Sequence, residues 1–315
     1  MTHSQYHSPT KIMSAPLKNI AITGAAGSLG SVVFKTLLDA GKFNIRVLRR
    51  AGSSSTFPAG VEVVDVDFKS PSSLKSALVG QDAVVNTMAS YVDNTPHTAL
   101  ATAAFEAGVK RFIPAEFGAN LDSAATRALP IFAGKVEVQD YLAQAVKTNP
   151  EGTSYTLIYN AAFLDWGLQN DFILAISEAK PIILNGGDLP FSTTTLQSVA
   201  DAVVGVLTHP AETKNRAVHV HDIVLTQNRL LALAKQVAPN RDWQPVPADM
   251  DTLIAAAGEK MSRGIFDKDS IFSFLYRATF DPACGCAFDA TDNELLGIKG
   301  KTEEDVIELL KTYLA

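Results

Sequence analysis

This sequence lacks cysteine pairs spread along the chain, long apolar runs and an excess of positive charge. Each absence removes a class of protein. Two cysteines, Cys284 and Cys286, stand one residue apart in a chain of 315. That excludes a disulfide framework and suits a reducing compartment. Two thiols are also half of what a structural zinc needs, so the expectation is a pair of ordinary loop thiols and no metal site. No apolar run reaches the roughly 18 residues of a membrane span. Met1 to Leu17 holds three Ser, two Pro and two His and has no apolar centre of the signal-peptide kind, so we read 1–17 as a flexible tail, with Met13 an alternative start. The expected location is cytoplasmic. Lys plus Arg (27) against Asp plus Glu (33) gives a net charge of −6, which offers no general attraction to nucleic acid or anionic membrane. The 47% of hydrophobic and 19% of charged residues exclude a largely disordered chain, and the length suits one large or two intermediate domains.

What is present begins at Asn19. Ile20 to Thr23 is a short apolar run ending at Gly24, as in a buried parallel strand. Leu29, Val32, Val33 and Leu37 follow at helical spacing, with Gly41 suited to close the helix. Further strands are expected at 45–48, 61–66, 83–87, 111–113 and 155–159, with helices at 72–78, 98–107 and within 130–146. This alternation means a parallel sheet covered on both faces. Beyond Tyr159 the alternation weakens. Helices are expected at 163–176, 196–207 (capped by Thr195), 227–237 and from about Thr302, with extended segments at 181–184, 218–220 and 223–224. The fold class is therefore α/β: a Rossmann-type, doubly wound parallel sheet over 18–159, then a smaller, closely packed α/β substrate lobe over 160–315. Segments around 190–210 are free to return to the first domain, since no Pro/Gly/Ser linker divides the chain.

Gly24, Gly27 and Gly30 lie between the first strand and the first helix. A tight turn at Gly24, close approach of a pyrophosphate at Gly27 and tight helix–strand packing at Gly30 explain why glycine is needed. The helix N-terminus then offers unpaired N–H groups to phosphates. Ala26, Ser28 and Leu29 belong to the same loop, and Thr87 and Met88 close the fourth strand beside it. A site that prefers NAD has an acid about 20 residues beyond the glycines. Here Arg46, Arg49 and Arg50 occur instead, and guanidinium suits a 2′-phosphate. The expected cofactor is NADPH/NADP+, with Arg50 the first candidate and Arg49 the second; Arg46 reads as a solvated strand-end charge. Ser53, Ser54 and Ser55 are a loop able to add hydroxyls. Asp67 lies either near the adenine or in solvent.

No Tyr in the sequence has Lys four residues later, so the acid pair usual on this kind of fold is missing. Lys135, entering a helix after the loop of the fifth strand, is the candidate substitute, because a lysine desolvated in a cofactor pocket exchanges protons near neutral pH. On position alone a solvated helix lysine is the commoner case. The run Phe112-Ile113-Pro114-Ala115-Glu116-Phe117-Gly118 resembles the F-x-P-S-E-F-G signature of the isoflavone reductase-like family, an atypical, NmrA-like branch of the short-chain dehydrogenases. That family includes phenylcoumaran benzylic ether reductases and pinoresinol–lariciresinol reductases. The glycine loop, Glu106 to Arg111, Arg50 and Phe132-x-x-Lys135 fall in the family's order, and Asp292 to Gly297 is similar to fungal members. Ala115 stands where the signature often has Ser.

The resemblance implies that Lys135 is the general acid/base beside a nicotinamide. It also implies an NADPH-dependent reductase of a small aromatic, phenolic or polyketide-like metabolite, with hydride going to an enone, ketone, or quinone-methide or benzylic ether carbon. Glu116 and Phe117 are expected at the edge of the cofactor pocket. His97, Asn160, Phe163 and Trp166 are the substrate candidates, with His97 read as a loop residue. His219 and His221 alternate on a strand, and two His do not make a metal site. The expected partner is a small molecule, and the protein a monomer or homodimer. Two other readings stay open: an NADP(H)-sensing regulator without catalysis, and a non-redox isomerase or cyclase.

Overall fold

The computed structural model describes residues 16–89 and 94–314. The tail and Met13 lie outside the described residues except for Pro16 and Leu17, and Leu17 is buried in the sheet core. The first half runs β1 (Asn19–Thr23), α1 (Ser28–Asp39), β2 (Asn44–Arg50), β3 (Glu62–Val66), α2 (Pro71–Leu78), β4 (Ala83–Asn86) and α3 (Thr95–Glu106). It continues through β5 (Arg111–Ile113), α4 (Ala124–Arg127), a 3-10 turn at Pro130–Phe132, α5 (Ala133–Thr148) and β6 (Ser154–Tyr159). The second half has β7 (Ala162–Phe163), α6 (Leu164–Gln169), β8 (Ile182–Leu184), β9 (Phe191–Thr194), α7 (Leu196–Thr208), β10 (Arg216–His219), β11 (Ile223–Leu225) and α8 (Gln227–Val237). Last come β12 (Val246–Ala248), α9 (Met250–Ser262), α10 (Lys268–Phe280), α11 (Asn293–Leu296) and α12 (Glu303–Leu314). No helix among the described residues is long and apolar enough to cross a membrane.

Seven strands form one parallel sheet in the order β10-β6-β5-β4-β1-β2-β3. The order reverses between β1 and β4, as expected of a Rossmann-type sheet, and ligands bind at the carboxyl ends of strands at such a point. Successive residues of each strand serve opposite faces. Ile20 and Ile22 pack in one core with α1 and α7, whereas Ala21 packs in the other with α2, α3 and α5. Burial on both sides is why these strands read as continuous apolar runs. Arg111 of β5 is buried, and no carboxylate of a described residue pairs with it. Its guanidinium donates to Ser154 Oγ (2.9 Å), Thr156 Oγ1 (2.7 Å), Thr213 Oγ1 (2.9 Å) and the Pro210 carbonyl, tying β5, β6 and the approach to β10 together. Burial pushes its pKa down to about 10, so it stays charged at neutral pH.

A third core collects α6, α8, α12, β8, β9 and the segment 172–176. The expected helix over 163–176 ends instead at Gln169. Asp171 adopts φ +56° and its carboxylate accepts the Ser177 N–H (3.0 Å), while Phe172 N–H turns back to the Gly167 carbonyl (2.7 Å). Phe172, Ile173, Leu174 and Ile176 are all buried, which a one-faced helix on a core could not achieve. The sequence reading also passed over β9, α9 and α10, whose apolar spacing is weak.

α7 packs against α1 in the sheet core, and its cap is built as expected. Thr195 Oγ1 accepts the Ser198 N–H (3.3 Å), and its backbone N–H donates to buried Asp222 (2.7 Å). Thr195→Val should lower stability by about 1–2 kcal/mol, the usual cost of a lost cap. Urea unfolding would read this as a lower midpoint at unchanged slope; an unchanged midpoint would contradict it.

Candidate active site

A single cleft of about 820 Å³ runs along the carboxyl ends of β1, β2, β4 and β5 and on to α6 and α10. At one end lies the glycine loop. Gly24 has φ +72°, and a Cβ there would sit 2.7 Å from the Thr87 backbone. At Gly30 a Cβ would meet the Gly24 carbonyl oxygen at 2.0 Å. Gly30 thus seats α1 against the turn itself and the Thr87 side chain, more than against a strand as the sequence suggested. Gly27 precedes α1 without a side-chain cap, and the first turn holds no acid. The N–H groups of that turn are thus left for an anion. Ala26, Ser28 and Leu29 line the same end, and Ser28 Oγ makes no hydrogen bond to a described residue.

The three arginines separate. Arg46 pairs with Glu62 (2.9 Å) and caps the Ala77 carbonyl (2.8 Å), away from the cleft. Arg49 lines the cleft, but its guanidinium is held in a fork by Asp65 (2.6 and 3.0 Å) and by the Ser55 carbonyl (2.6 Å). Arg50 lines the cleft, and its guanidinium makes no hydrogen bond or ion pair to any described residue. Ser53 and Ser55 line it too, and Ser54 does not. Asp67 is a correction. It is exposed, it accepts the Lys69 N–H (2.9 Å), and Phe68 beside it faces the cleft. Phe57 is a second aromatic that the sequence reading missed here.

At the middle of the cleft, Thr87 and Met88 close β4. His97 is also a correction: it sits in the first turn of α3, buried, and not in a loop. Its Nδ1 accepts from Asn86 Nδ2 (3.0 Å), and Asn86 Oδ1 accepts from Thr23 (2.9 Å) and from the Met88 N–H (3.1 Å). This chain of bonds fixes the ends of β1 and β4 and directs His97 into the fold, although its ring still borders the cleft.

Lys135 is the third residue of α5, entered through the turn at Pro130–Phe132. Its Nζ reaches into the cleft and donates to the Glu116 backbone carbonyl (2.5 Å). Burial pushes its pKa down, opposed by the nearby Glu116 carboxyl. The positive end of α5 works in the same direction as burial. Burial likewise pushes the Glu116 carboxyl up, against Lys135, Gln139 and Arg127, and its Oε2 has no partner. Both groups lean towards their neutral forms. Glu116 is thus a buried neighbour of Lys135, and Phe117 is a core residue at the cleft edge.

At the far end, Phe163 and Trp166 line the cleft, joined by Phe172, Leu275, Thr279 and Cys286. Asn160 does not line it. It is fully buried, its Nδ2 donates to the Ala161 carbonyl (3.2 Å), and its own carbonyl accepts from Thr194 (2.6 Å). The next residue, Ala161, has φ +52°, and this backbone twist brings Ala161 and Ala162 to the cleft and leaves Asn160 behind. Both cysteines are buried, not loop-exposed, and burial pushes the Cys286 thiol up to about 11, so it is no nucleophile at neutral pH. The residues missed here come from α10 and the 280s, more than 100 positions from Lys135, where no spacing signal links them.

Comparison with known proteins bears on this geometry. The profile of the NmrA-like family matches residues 16–247. The oxidoreductase poxI of Penicillium oxalicum is 31% identical over 305 residues, covering 93% of each chain. The oxidoreductase aprR of Aspergillus flavus is 33% identical over 248 residues, covering 78% of this chain and 82% of that one. Among solved structures, the ternary complex of leucoanthocyanidin reductase from Vitis vinifera superposes with a TM-score of 0.75 at 20% identity, covering 94% of this chain and 99% of that one.

Proposed function

The chain belongs to the NmrA-like family, as an isoflavone reductase-like member, and on that premise we propose that it is an NADPH-dependent oxidoreductase of a small phenolic or polyketide-like molecule. The observation that carries this is one continuous cleft with an uncapped helix N-terminus and unpaired Arg50 at one end and the desolvated Lys135 beyond. Relatives named as oxidoreductases support it, as does a neighbour of the same fold solved with NADP+ and (+)-pinoresinol. The residues present fit the cofactor. The glycine loop and α1 would hold the diphosphate, Arg50 with Ser53 and Ser55 the 2′-phosphate, and Phe57 and Phe68 would flank the adenine.

When bound, NADPH supplies the hydride for an electron-poor carbon, be it an enone, a ketone or the quinone methide from a benzylic ether. Lys135 holds the substrate oxygen by its ammonium and gives up the proton that oxygen needs. Apolar Phe163, Trp166 and Leu275 exclude water around that transfer. We assign residues 18–159 with α7 and β10 to the cofactor domain, and most of the remainder to the substrate lobe. The test incubates protein, NADPH and a panel of aromatic enones and ketones, and follows NADPH absorbance and product mass. Loss of NADPH with a product two hydrogens heavier is expected. A product of unchanged mass would mean an isomerase. Discrimination between NADP+ and NADPH with no consumption on any compound would mean a sensor.

A further inference from the structure

The polar groups of the cleft fall into two kinds. Asn86, Asn94 and Thr87 are engaged with the protein: Asn94 Nδ2 with Thr98 and Glu137, and Thr87 Oγ1 with the Thr23 carbonyl. At the substrate end, two groups make no hydrogen bond to any described residue, the Trp166 indole N–H and the Thr279 hydroxyl. Two helical hydroxyls of this chain do turn back to the carbonyl four residues earlier, Thr208 to Val204 (2.9 Å) and, on the same helix as Thr279, Ser273 to Asp269 (2.8 Å). Thr279 has the Leu275 carbonyl within its reach by helical spacing and does not use it.

The two groups share one wall. Phe172 packs on Trp166 (6.3 Å between ring centres) and stacks on Tyr276 (5.2 Å), which lies one turn before Thr279 on α10. Among the described residues, Lys135 and the buried Glu116 are the only Lys, Arg, Asp or Glu side chains lining this end, and both lean towards their neutral forms, so the wall suits a neutral molecule. Neither atom is closed off from solvent, so water completes both in the open cleft, and a ligand that displaces that water loses affinity unless it offers the bond itself.

We propose that Thr279 is a specificity-determining residue, whose hydroxyl, with the Trp166 indole N–H, holds an oxygen substituent on the ring of a neutral, flat, polyoxygenated substrate. A second oxygen of the same molecule is held by Lys135. A site built to bond a substrate hydroxyl rejects the analogue that lacks it, because the site's own polar group is left unpaired. This rests on the reductase reading and adds the substrate's oxygen pattern to it.

The experiment measures binding of chromone and each of its monohydroxylated forms to the NADP+ complex of the full chain by calorimetry. Wild type, Thr279→Val and Thr279→Ser are compared. Valine keeps the branched shape and helical rotamer, and serine keeps the hydroxyl. One regioisomer should bind more tightly than chromone and lose about threefold to tenfold in affinity in Thr279→Val. Chromone itself should be unaffected, and Thr279→Ser should restore binding within about twofold on the same basis. In turnover, KM should rise with kcat held. An equal loss for all compounds would make Thr279 a packing residue and overturn the proposal. So would no loss for any, or no binding of any compound to wild type. If NADP+ binds and Lys135→Ala loses turnover while Thr279→Val changes nothing, this inference fails and the reductase reading stands.

Discussion

Lys135→Ala should abolish turnover while leaving NADPH affinity within about threefold of wild type. The loss should be at least 100-fold and approach about 10,000-fold, the range of a positioned general acid. The expectation follows from what Nζ touches: one bond to the Glu116 carbonyl, which leaves two hydrogens for a ligand in the cleft. The proposed dinucleotide cradle lies elsewhere, at the glycine loop and α1, so cofactor binding should survive. Fluorescence titration of NADPH and steady-state rates would separate the two. Turnover within tenfold of wild type would remove Lys135 from the chemistry. A melting temperature near that of wild type keeps the result from being a folding defect.

The pH dependence has a definite sign. In the proposed reduction the ammonium form of Lys135 gives up the proton. Activity should therefore be present at low pH and fall as pH rises through the Lys135 pKa. Burial pushes that pKa below the ordinary lysine range, so the fall should come below about pH 10.4, the value of a free lysine. Lys135→Arg keeps a cation but cannot release its proton, so it should bind NADPH and remain inactive. Glu116 bears on this limb as well. A neutral, buried Glu116 leaves Lys135 without a counter-charge, which is the condition for easy proton release.

The cofactor half of this site was legible in the sequence because its chemistry is local. Strand, glycine turn and helix follow one another within about 20 residues, and the physics that requires glycine at Gly24 and Gly30 acts between neighbours. The parallel sheet was legible for a related reason, since strands buried on both faces read as apolar runs. The substrate half was not. Thr279 and Leu275 reach the cleft through the packing of α10, by its Phe272 and Tyr276 rings, on Phe172, and Cys286 follows after that helix. Asn160 was misplaced because a single left-handed residue, Ala161, decides which side chain turns outward. His97 was misread because α3 begins three residues before its apolar pattern does. In each case a tertiary contact, or one backbone angle, outweighed the local signal.

Arg50→Ala should weaken NADPH binding by about 10-fold to 100-fold and leave NADH binding within about threefold. A charge-assisted hydrogen bond to a phosphate is worth about 1.5–3 kcal/mol, and only NADPH carries that phosphate. The comparison with Arg49 carries the argument. Sequence position alone ranks the two almost equally. In the fold, Arg49 donates to both oxygens of Asp65 and to Ser55, and Asp65 holds it charged, whereas Arg50 is unpaired among the described residues. The double variant Arg49→Gln with Asp65→Asn removes that exposed pair without leaving a lone charge. Its effect on NADPH affinity should be under about threefold, since exposed ion pairs contribute little. The affinity lost in Arg50→Ala should also shrink as salt is raised, because added ions screen an exposed guanidinium from a phosphate. If Arg50→Ala weakened NADPH and NADH alike, the residue would shape the loop and not read the 2′-phosphate. If the double variant lost as much as Arg50→Ala, the fork on Asp65 would have to open when the cofactor enters, and Arg49 would share the phosphate.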